Sequence, residues 1–307
     1  MKKCRCCKEA VFHRSYEGRY LCEQHFCESV ERKVKRTIRD HRMVQKGDKI
    51  VIGVSGGKNS VSLLHIMSKT FGKVPGTELI AISINEGIKD VGTKHIKLAK
   101  KLCKKMGIEH KIYSFKKEFG KTMDQKVKEE TKLKEPCAYC GVGRRYMLNK
   151  IAREMKADKL CVGNNLDNEA QSVLMNYIRG DMPRASRLGM ITNFSISEDT
   201  GSLFVPKIKP LRLLPEEEAE LYAKIKKLDA VEKKCPYNSG LRSDALKFVN
   251  ELEEKYPGVR YSILETFDKF LPIIRNQVKG TKIKLKVCKK CGEPSAQEIC
   301  KTCELWR

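Results

Sequence analysis

The sequence predicts an α/β protein: a doubly wound parallel sheet carrying a phosphate-binding loop, with a metal-binding module at each end and a helical C-terminal region. Three observations carry this. Strand-like apolar runs alternate with stretches of helical periodicity between residues 49 and 179. The turn Ser55-Gly56-Gly57-Lys58-Asn59-Ser60 joins the first run to the first helix. The 14 cysteines fall mostly into three groups, two terminal and one central. The expected divisions are residues 1–30 (N-terminal metal module), 31–214 (nucleotide domain), 215–284 (helical region with Cys235) and 285–307 (C-terminal ribbon).

The N-terminal group is Cys4-x-x-Cys7 with Cys22-x-x-His25, separated by a hairpin-like stretch that turns near Glu17-Gly18. Three cysteines and a histidine suit a tetrahedral structural zinc, with Cys6 and Cys27 as rival ligands. The plain alternative is a surface histidine at 25. Residues 32–42 are basic and read either as phosphate contacts or as a solvated helix face.

Residues 49–54 form a largely apolar first strand, and residues 61–67 have helical spacing. The loop between them would present backbone N–H groups and a helix N-terminus to an anion. It is not Gly-x-x-x-x-Gly-Lys-Ser/Thr, so it is not an ordinary P-loop. Further strands are expected at 79–84, 110–115 and 160–163, alternating with helices at 91–106, 144–155 and 167–179. Cys103 and Cys161 lie in apolar contexts and read as core residues.

Cys137-Ala-Tyr-Cys140-Gly141 is a knuckle whose third partner, Cys235-Pro236, lies almost a hundred residues on. Three thiolates can hold an iron–sulfur cluster with one iron left open. A third zinc completed by His or Asp, or a persulfide pair with a bystander thiol, fits the same spacing. Beyond Pro215, residues 216–228, 245–255 and 261–276 are helical and polar. The chain closes on Cys288-x-x-Cys291 and Cys300-x-x-Cys303, four thiolates for a closed zinc. So little apolar sequence surrounds them that metal binding, on the order of 10 kcal/mol, would have to stabilise the fold. A redox dithiol pair is the competing reading.

Length and charge bound the function. With 307 residues and 40% hydrophobic content, the chain can bury one sizeable core and carry appendages. Against 38 Asp+Glu stand 63 Lys+Arg, a net charge of +25 that favours a nucleic-acid partner over a merely solvated lysine-rich surface. No apolar run is long enough for a bilayer, and the basic start Met1-Lys2-Lys3 has no apolar stretch behind it. Paired Cys-x-x-Cys spacings then read as metal sites in a reducing compartment, so a cytoplasmic location is expected.

The pattern Ser-Gly-Gly-Lys-x-Ser resembles the pyrophosphate loop of enzymes that release AMP. In order, the chain shows the N-terminal module, that loop, Cys137/Cys140, Gly163-Asn-Asn-Leu-Asp-Asn-Glu-Ala-Gln171, Leu174-Met-Asn176, Arg179-Gly-Asp181, Cys235 and the ribbon. Together these resemble the TtcA/TtuA family of PP-loop tRNA 2-thiouridine synthetases, especially its TtuA/NcsA branch, over nearly the whole length. The resemblance implies that ATP adenylates the C2 oxygen of a tRNA uridine. Sulfur then displaces AMP, held on the open iron of a three-cysteine [4Fe-4S] cluster or as a persulfide.

It also implies ATP, Mg2+, two structural Zn2+ and one [4Fe-4S] cluster as cofactors. The sulfur donor is a ubiquitin-like carrier protein or sulfide, and members often dimerise. By position, Ser55, Gly56, Gly57, Lys58, Asn59 and Ser60 would cradle pyrophosphate, with Ser83 and Gly163 bordering adenine and ribose. Asp167 would position magnesium or the substrate base, or else cap a helix. Members usually carry aspartate at Asn59, Asn85 and Asn168, and commonly lysine at Arg144. Each asparagine removes a negative charge, and arginine cannot exchange a proton near neutrality, which would restrict Arg144 to charge stabilisation. A tRNA-binding protein with a drifted active site is the rival from another class.

Overall fold

A computed structural model describes residues 2–6, 8–89, 91–129, 135–192, 203–231, 235–279 and 286–307. The chain opens with an antiparallel hairpin, β1 (Phe12–Arg14) and β2 (Arg19–Leu21), closed by a tight 3-10 turn. There follow α1 (Glu23–Asp40), β3 (Lys49–Gly53), α2 (Lys58–Phe71), β4 (Glu78–Asn85), α3 (Gly92–Met106) and β5 (Glu109–Ser114). Next come α4 (Phe115–Phe119), α5 (Met123–Glu129), α6 (Pro136–Glu154), β6 (Lys159–Cys161), α7 (Leu166–Arg179) and α8 (Met182–Ala185). Short strands β7 (Ile191–Thr192) and β8 (Lys207–Ile208) precede α9 (Glu216–Ile225), α10 (Leu241–Lys255) and α11 (Val259–Lys279). The terminal module holds β9 (Lys286–Val287), β10 (Pro294–Ser295) and α12 (Lys301–Trp306).

Among the described residues the main sheet has six strands in the order β5-β4-β3-β6-β8-β7. All pairs are parallel except β7 with β8 at the edge. Chain order runs outward from β3 to β5 and then returns to β6 on the other side of β3. That reversal opens a crevice beyond the carboxyl ends of β3 and β6, where such sheets bind ligands.

Side-chain alternation explains why both faces are covered. Ile50 and Ile52 of β3, Ala81 of β4 and Cys161 of β6 enter one core with residues of α1, α2, α3 and α9. Val51, Ile80, Ile82 and Leu160 point the other way, into a core with Phe115, Phe119, Met147, Ile151 and Trp306. A period of two, with apolar residues at both parities, is what a doubly covered parallel sheet requires. A third cluster joins Leu166 and Val173 of α7 to Leu264, Phe267 and Leu271 of α11.

The expected strands and helices of the nucleotide domain are present, but the expected divisions fall elsewhere. The boundary at 30 cuts through α1, whose Phe26, Val30, Val34 and Ile38 are buried in the main core. The boundary at 214 separates α9 from that same core, to which it contributes Ala219, Tyr222 and Ala223. Edge strands β7 and β8, with two residues each, are too short to carry a legible alternation.

Candidate active site and metal centres

The phosphate loop forms where β3 ends. The backbone N–H of Val54 continues the sheet by donating to Ile82 O (2.8 Å). Gly56 then turns with φ +82°, and a Cβ there would stand 2.3 Å from His95 O, so only glycine fits. The ring of His95 reaches back to Ser55 O at 2.9 Å and fixes the loop's outer edge. Gly57 caps α2 without a side chain, so no side chain occupies the helix N-terminus, where an anion is favoured. Ser55 Oγ and Ser60 Oγ meet at 3.2 Å beside it. Gly163, at the end of β6, packs so closely that a Cβ would lie 3.4 Å from the backbone of Asn59 and Ser60. Asn59 Oδ1 is buried there with no hydrogen-bond partner.

Lys58 bridges from this loop to Glu216 (3.3 Å) and Glu220 of α9. Burial alone would lower its pKa, yet the two carboxylates hold it above the ordinary lysine value. Ser83, expected at the adenine border, is 2% exposed and donates to Val54 O at 2.6 Å, with His110 Nε2 on its other side. Its hydroxyl therefore braces β4 against the loop. Asn85 Oδ1 accepts from Gly87 N (2.9 Å), shaping the turn after β4.

Asp167 has two protein partners. Its carboxylate, 3% exposed, accepts from Glu216 N (2.8 Å) at the start of α9 and pairs with Arg260 of α11 at 3.1 Å. It accepts from the first amide of another helix and ties three elements together. The N-cap of its own helix is Asn165, which accepts from Asn168 N at 2.9 Å. Asn59, Asn85 and Asn168 are neutral and add no carboxylate beside Asp167.

The segment carrying Cys235 is tied to the loop. Val231 N donates to Gly56 O (3.1 Å) and bridges Gly57, and Cys235, four residues on, lies within about 14 Å of Val231. The Cys137 thiol, near the start of α6, reaches Tyr237 O at 3.0 Å. Cys140 senses the charges of Arg144, Glu86, Cys235 and Cys137, and burial pushes its thiol up to about 12. The thiols in turn raise the Arg144 guanidinium, whose Nη1 stands 3.7 Å from Glu86. Among the described residues these three sulfurs belong to no group of ligand atoms within 4.8 Å of one another. A single zinc with bonds of about 2.3 Å needs sulfurs about 3.8 Å apart, whereas cluster cysteines bind separate irons. The wider set fits a cluster better than a third zinc.

Both terminal groups are tight. Cys4, Cys6, Cys22 and His25 have ligand atoms within 4.8 Å, with Cys4 Sγ to His25 Nδ1 at 3.3 Å and Cys6 Sγ to Cys22 Sγ at 3.6 Å. Backbone amides of Cys6 and Cys22 draw the Cys4 thiol down to about 6. Cys6 is thus gathered at the position the spacing offered to Cys7, which lies outside the described residues. The other rival, Cys27, is 3% exposed in the main core and its thiol is pushed up by burial. Cys288, Cys291, Cys300 and Cys303 form the second group, with Cys291 Sγ to Cys300 Sγ at 3.6 Å. Cys288 Sγ accepts from Cys300 N at 3.2 Å, and such amides outweigh burial to bring Cys288 down to about 6. Both donor sets fit one tetrahedral ion.

Sequence reasoning missed the support beneath the knuckle. Trp306 Nε1 donates to Tyr139 O (3.2 Å), inside the Cys137-to-Cys140 turn, and its ring packs 4.9 Å from both Phe115 and Phe119. It also missed a gathering of Arg145, Arg184, Arg187 and Arg242 beside Arg144. A lone tryptophan at a chain end and arginines on separate elements leave no periodic signal. The basic stretch 32–42 runs from α1 past its end, where exposed Arg36 and Arg39 pair with Asp40. Of the basic stretch 279–290, residues 280–285 lie outside the described residues. No helix among the described residues is long and apolar enough to cross a membrane.

Residues 26–242 match the family described as a PP-loop domain. The tRNA 2-thiolation protein NcsA of Haloferax volcanii is 38% identical, over 98% of this chain and 97% of its own. The tRNA-5-methyluridine(54) 2-sulfurtransferase of Pyrococcus horikoshii is 34% identical, over 99% and 93%. Among solved structures, the U34-tRNA thiolase NcsA from Methanococcus maripaludis with its [4Fe-4S] cluster superposes with a TM-score of 0.82. It is 36% identical and covers 99% of this chain and 95% of that one.

Proposed function

The chain belongs to the PP-loop family and, within it, to the tRNA 2-thiolation proteins, and from this we propose how its own residues carry out ATP-dependent tRNA thiolation. The reading rests most on one observation: Val231 is bridged to the phosphate loop while Tyr237, past Cys235, is held by Cys137, so the segment carrying Cys235 is tied at one end to the loop and at the other to Cys137.

The first-turn amides of α2, with Ser55 and Ser60, bind the triphosphate and orient its α-phosphorus toward the uridine C2 oxygen. Lys58 exchanges its α9 carboxylates for phosphate oxygens as nucleotide enters. Arg144 stays charged throughout and stabilises negative charge as the adenylate forms and AMP departs. A [4Fe-4S] cluster bound by Cys137, Cys140 and Cys235 supplies an iron without a protein ligand, at which sulfur can be held. No step is assigned to magnesium, because Asp167 is committed to Arg260 and the α9 amide.

We read the ion at each terminal site as structural zinc, held by Cys4, Cys6, Cys22 and His25 and by the four C-terminal cysteines. Sulfide or a ubiquitin-like carrier's thiocarboxylate is the donor, and the setting is cytoplasmic. Exposed Tyr177 and Ile178 on α7, with Phe270 and Ile273 on α11, support a homodimer. The test is anaerobic reconstitution with tRNA, ATP and sulfide. The expected products are 2-thiouridine and AMP, and iron and acid-labile sulfide should depart in Cys235→Ala. ATP turnover to ADP without RNA would overturn the reading, and mapping the thiolated uridine identifies the target position.

A further inference from the structure

Three cations around the knuckle have no carboxylate partner among the described residues. Arg145 lies on α6 next to Arg144, its guanidinium over Gly141, where a Cβ would stand 3.2 Å from Nη1. Arg242 is the second residue of α10, and its carbonyl accepts from Gln171 Nε2 of α7. Lys207 opens β8. The nearby acids are already engaged: Glu86 with Arg144, Asp181 with Arg184, Glu135 with Arg179, and Glu169 with Lys209 and Arg212.

Arg145 and Arg242 are exposed, so solvent reaches them although protein crowds them. Burial and the surrounding guanidinium groups pull Arg145 down to about 10, and burial with Lys209 and Arg145 brings Lys207 to about 8. Holding like charges together beside a thiol site is unfavourable unless an anion joins them. The triphosphate already has its place at α2. Three cations on three separate elements suit an anion of repeated charges, and arginine forks match phosphate oxygens.

We propose that Arg145, Arg242 and Lys207 form a rim that grips the phosphodiester backbone of the tRNA strand on either side of the uridine entering the Cys137, Cys140 and Cys235 site. This rests on the thiolation reading. On α1, Arg36 and Arg39 already pair with Asp40.

The test measures tRNA binding by the metal-replete protein across a salt series, for wild type and the triple variant Arg145→Gln, Lys207→Gln, Arg242→Gln. Each single-strand phosphate contact contributes roughly 0.7 to the slope of log K against log salt, so the triple variant should bind more weakly with a slope flatter by about 2. Its iron content and ATP affinity should match wild type. The charge-preserving pair Arg145→Lys, Arg242→Lys should keep most of the slope, which separates lost contacts from misfolding. An unchanged slope in the triple variant overturns the rim. So does an equal loss of ATP affinity, which would make it a triphosphate site, or a loss of iron, which would make it support for the cluster. A wild-type protein that binds no tRNA at any salt would instead refute the thiolation reading itself.

Discussion

Replacing Trp306 with alanine should loosen the cysteine knuckle from a distance. The side chain is 5% exposed, stacked on Phe119 and edge-on to Phe115, with its indole N–H on Tyr139 O. Truncating a buried tryptophan costs about 3–5 kcal/mol. Helix α12 has six residues at the chain end, so this loss falls on docking of the terminal module before it falls on the main core. At 1.4 kcal/mol per factor of ten, docking weakens by about 10²-fold to a few thousand-fold. The remaining ties, Arg153 to Glu293 (3.0 Å) and Arg307 to Glu118 (2.8 Å), are partly exposed and contribute less. The assay is hydrogen exchange across residues 136–147 together with the alkylation rate of Cys140 in metal-free protein. Both should accelerate in Trp306→Ala. Trp306→Phe, which keeps an aromatic ring but loses the hydrogen bond and part of the packing, should change them less than alanine does. Chelating the terminal metal should mimic the alanine variant, because Cys300 caps α12 and Cys303 lies within it. Unchanged exchange and alkylation would refute the idea that the ribbon supports the knuckle.

Arg14 and Glu218, 1% and 0% exposed, join the N-terminal hairpin to α9 at 2.5 Å. Arg14→Met should destabilise by about 3–5 kcal/mol in urea unfolding, and adding Glu218→Leu should recover much of the loss because no buried charge is stranded. Asp167→Asn should cost a similar amount by isolating Arg260 while leaving nucleotide affinity nearly unchanged; a large rise in the ATP Kd with normal stability would restore Asp167 to the ligand site. Burial holds Lys33 at about 8, below its ordinary 10.5, with Glu218 and Glu17 opposing and Arg14 and Arg36 reinforcing the shift. The unfolded chain keeps that proton up to about 10.5, so between about pH 8 and 10.5 it binds more protons than the folded one, and the lysine's contribution to stability rises with pH. Lys33→Met should remove that rise, read as the difference between the two proteins' urea midpoints across the window.

The features legible in the sequence are those written locally. Apolar alternation at both parities in 49–54 and 79–84 specified strands covered on two faces, and the main sheet has that form. Ser55 to Ser60 announced a phosphate loop because only glycine can take the turn at 56 against His95. The C-terminal Cys-x-x-Cys spacing gathers ligands with little help, since only two residues separate the cysteines of each pair. The family followed from the order of these motifs.

Other assignments depended on partners far along the chain. Asp167 looked the same in sequence whether it met a ligand or Arg260, ninety-three residues away. Cys6 joins Cys4, Cys22 and His25 although the spacing favoured its neighbour. Trp306 and Tyr139 are 167 residues apart, and Arg145, Lys207 and Arg242 sit on three elements with no common period. The sequence by itself determined the layers, the loop and the kinds of site, because these follow from backbone conformation and side-chain period. Only the tertiary structure decided which charges meet, which stay unpaired and what braces the thiols, because an electrostatic or packing partner is set by distance in space.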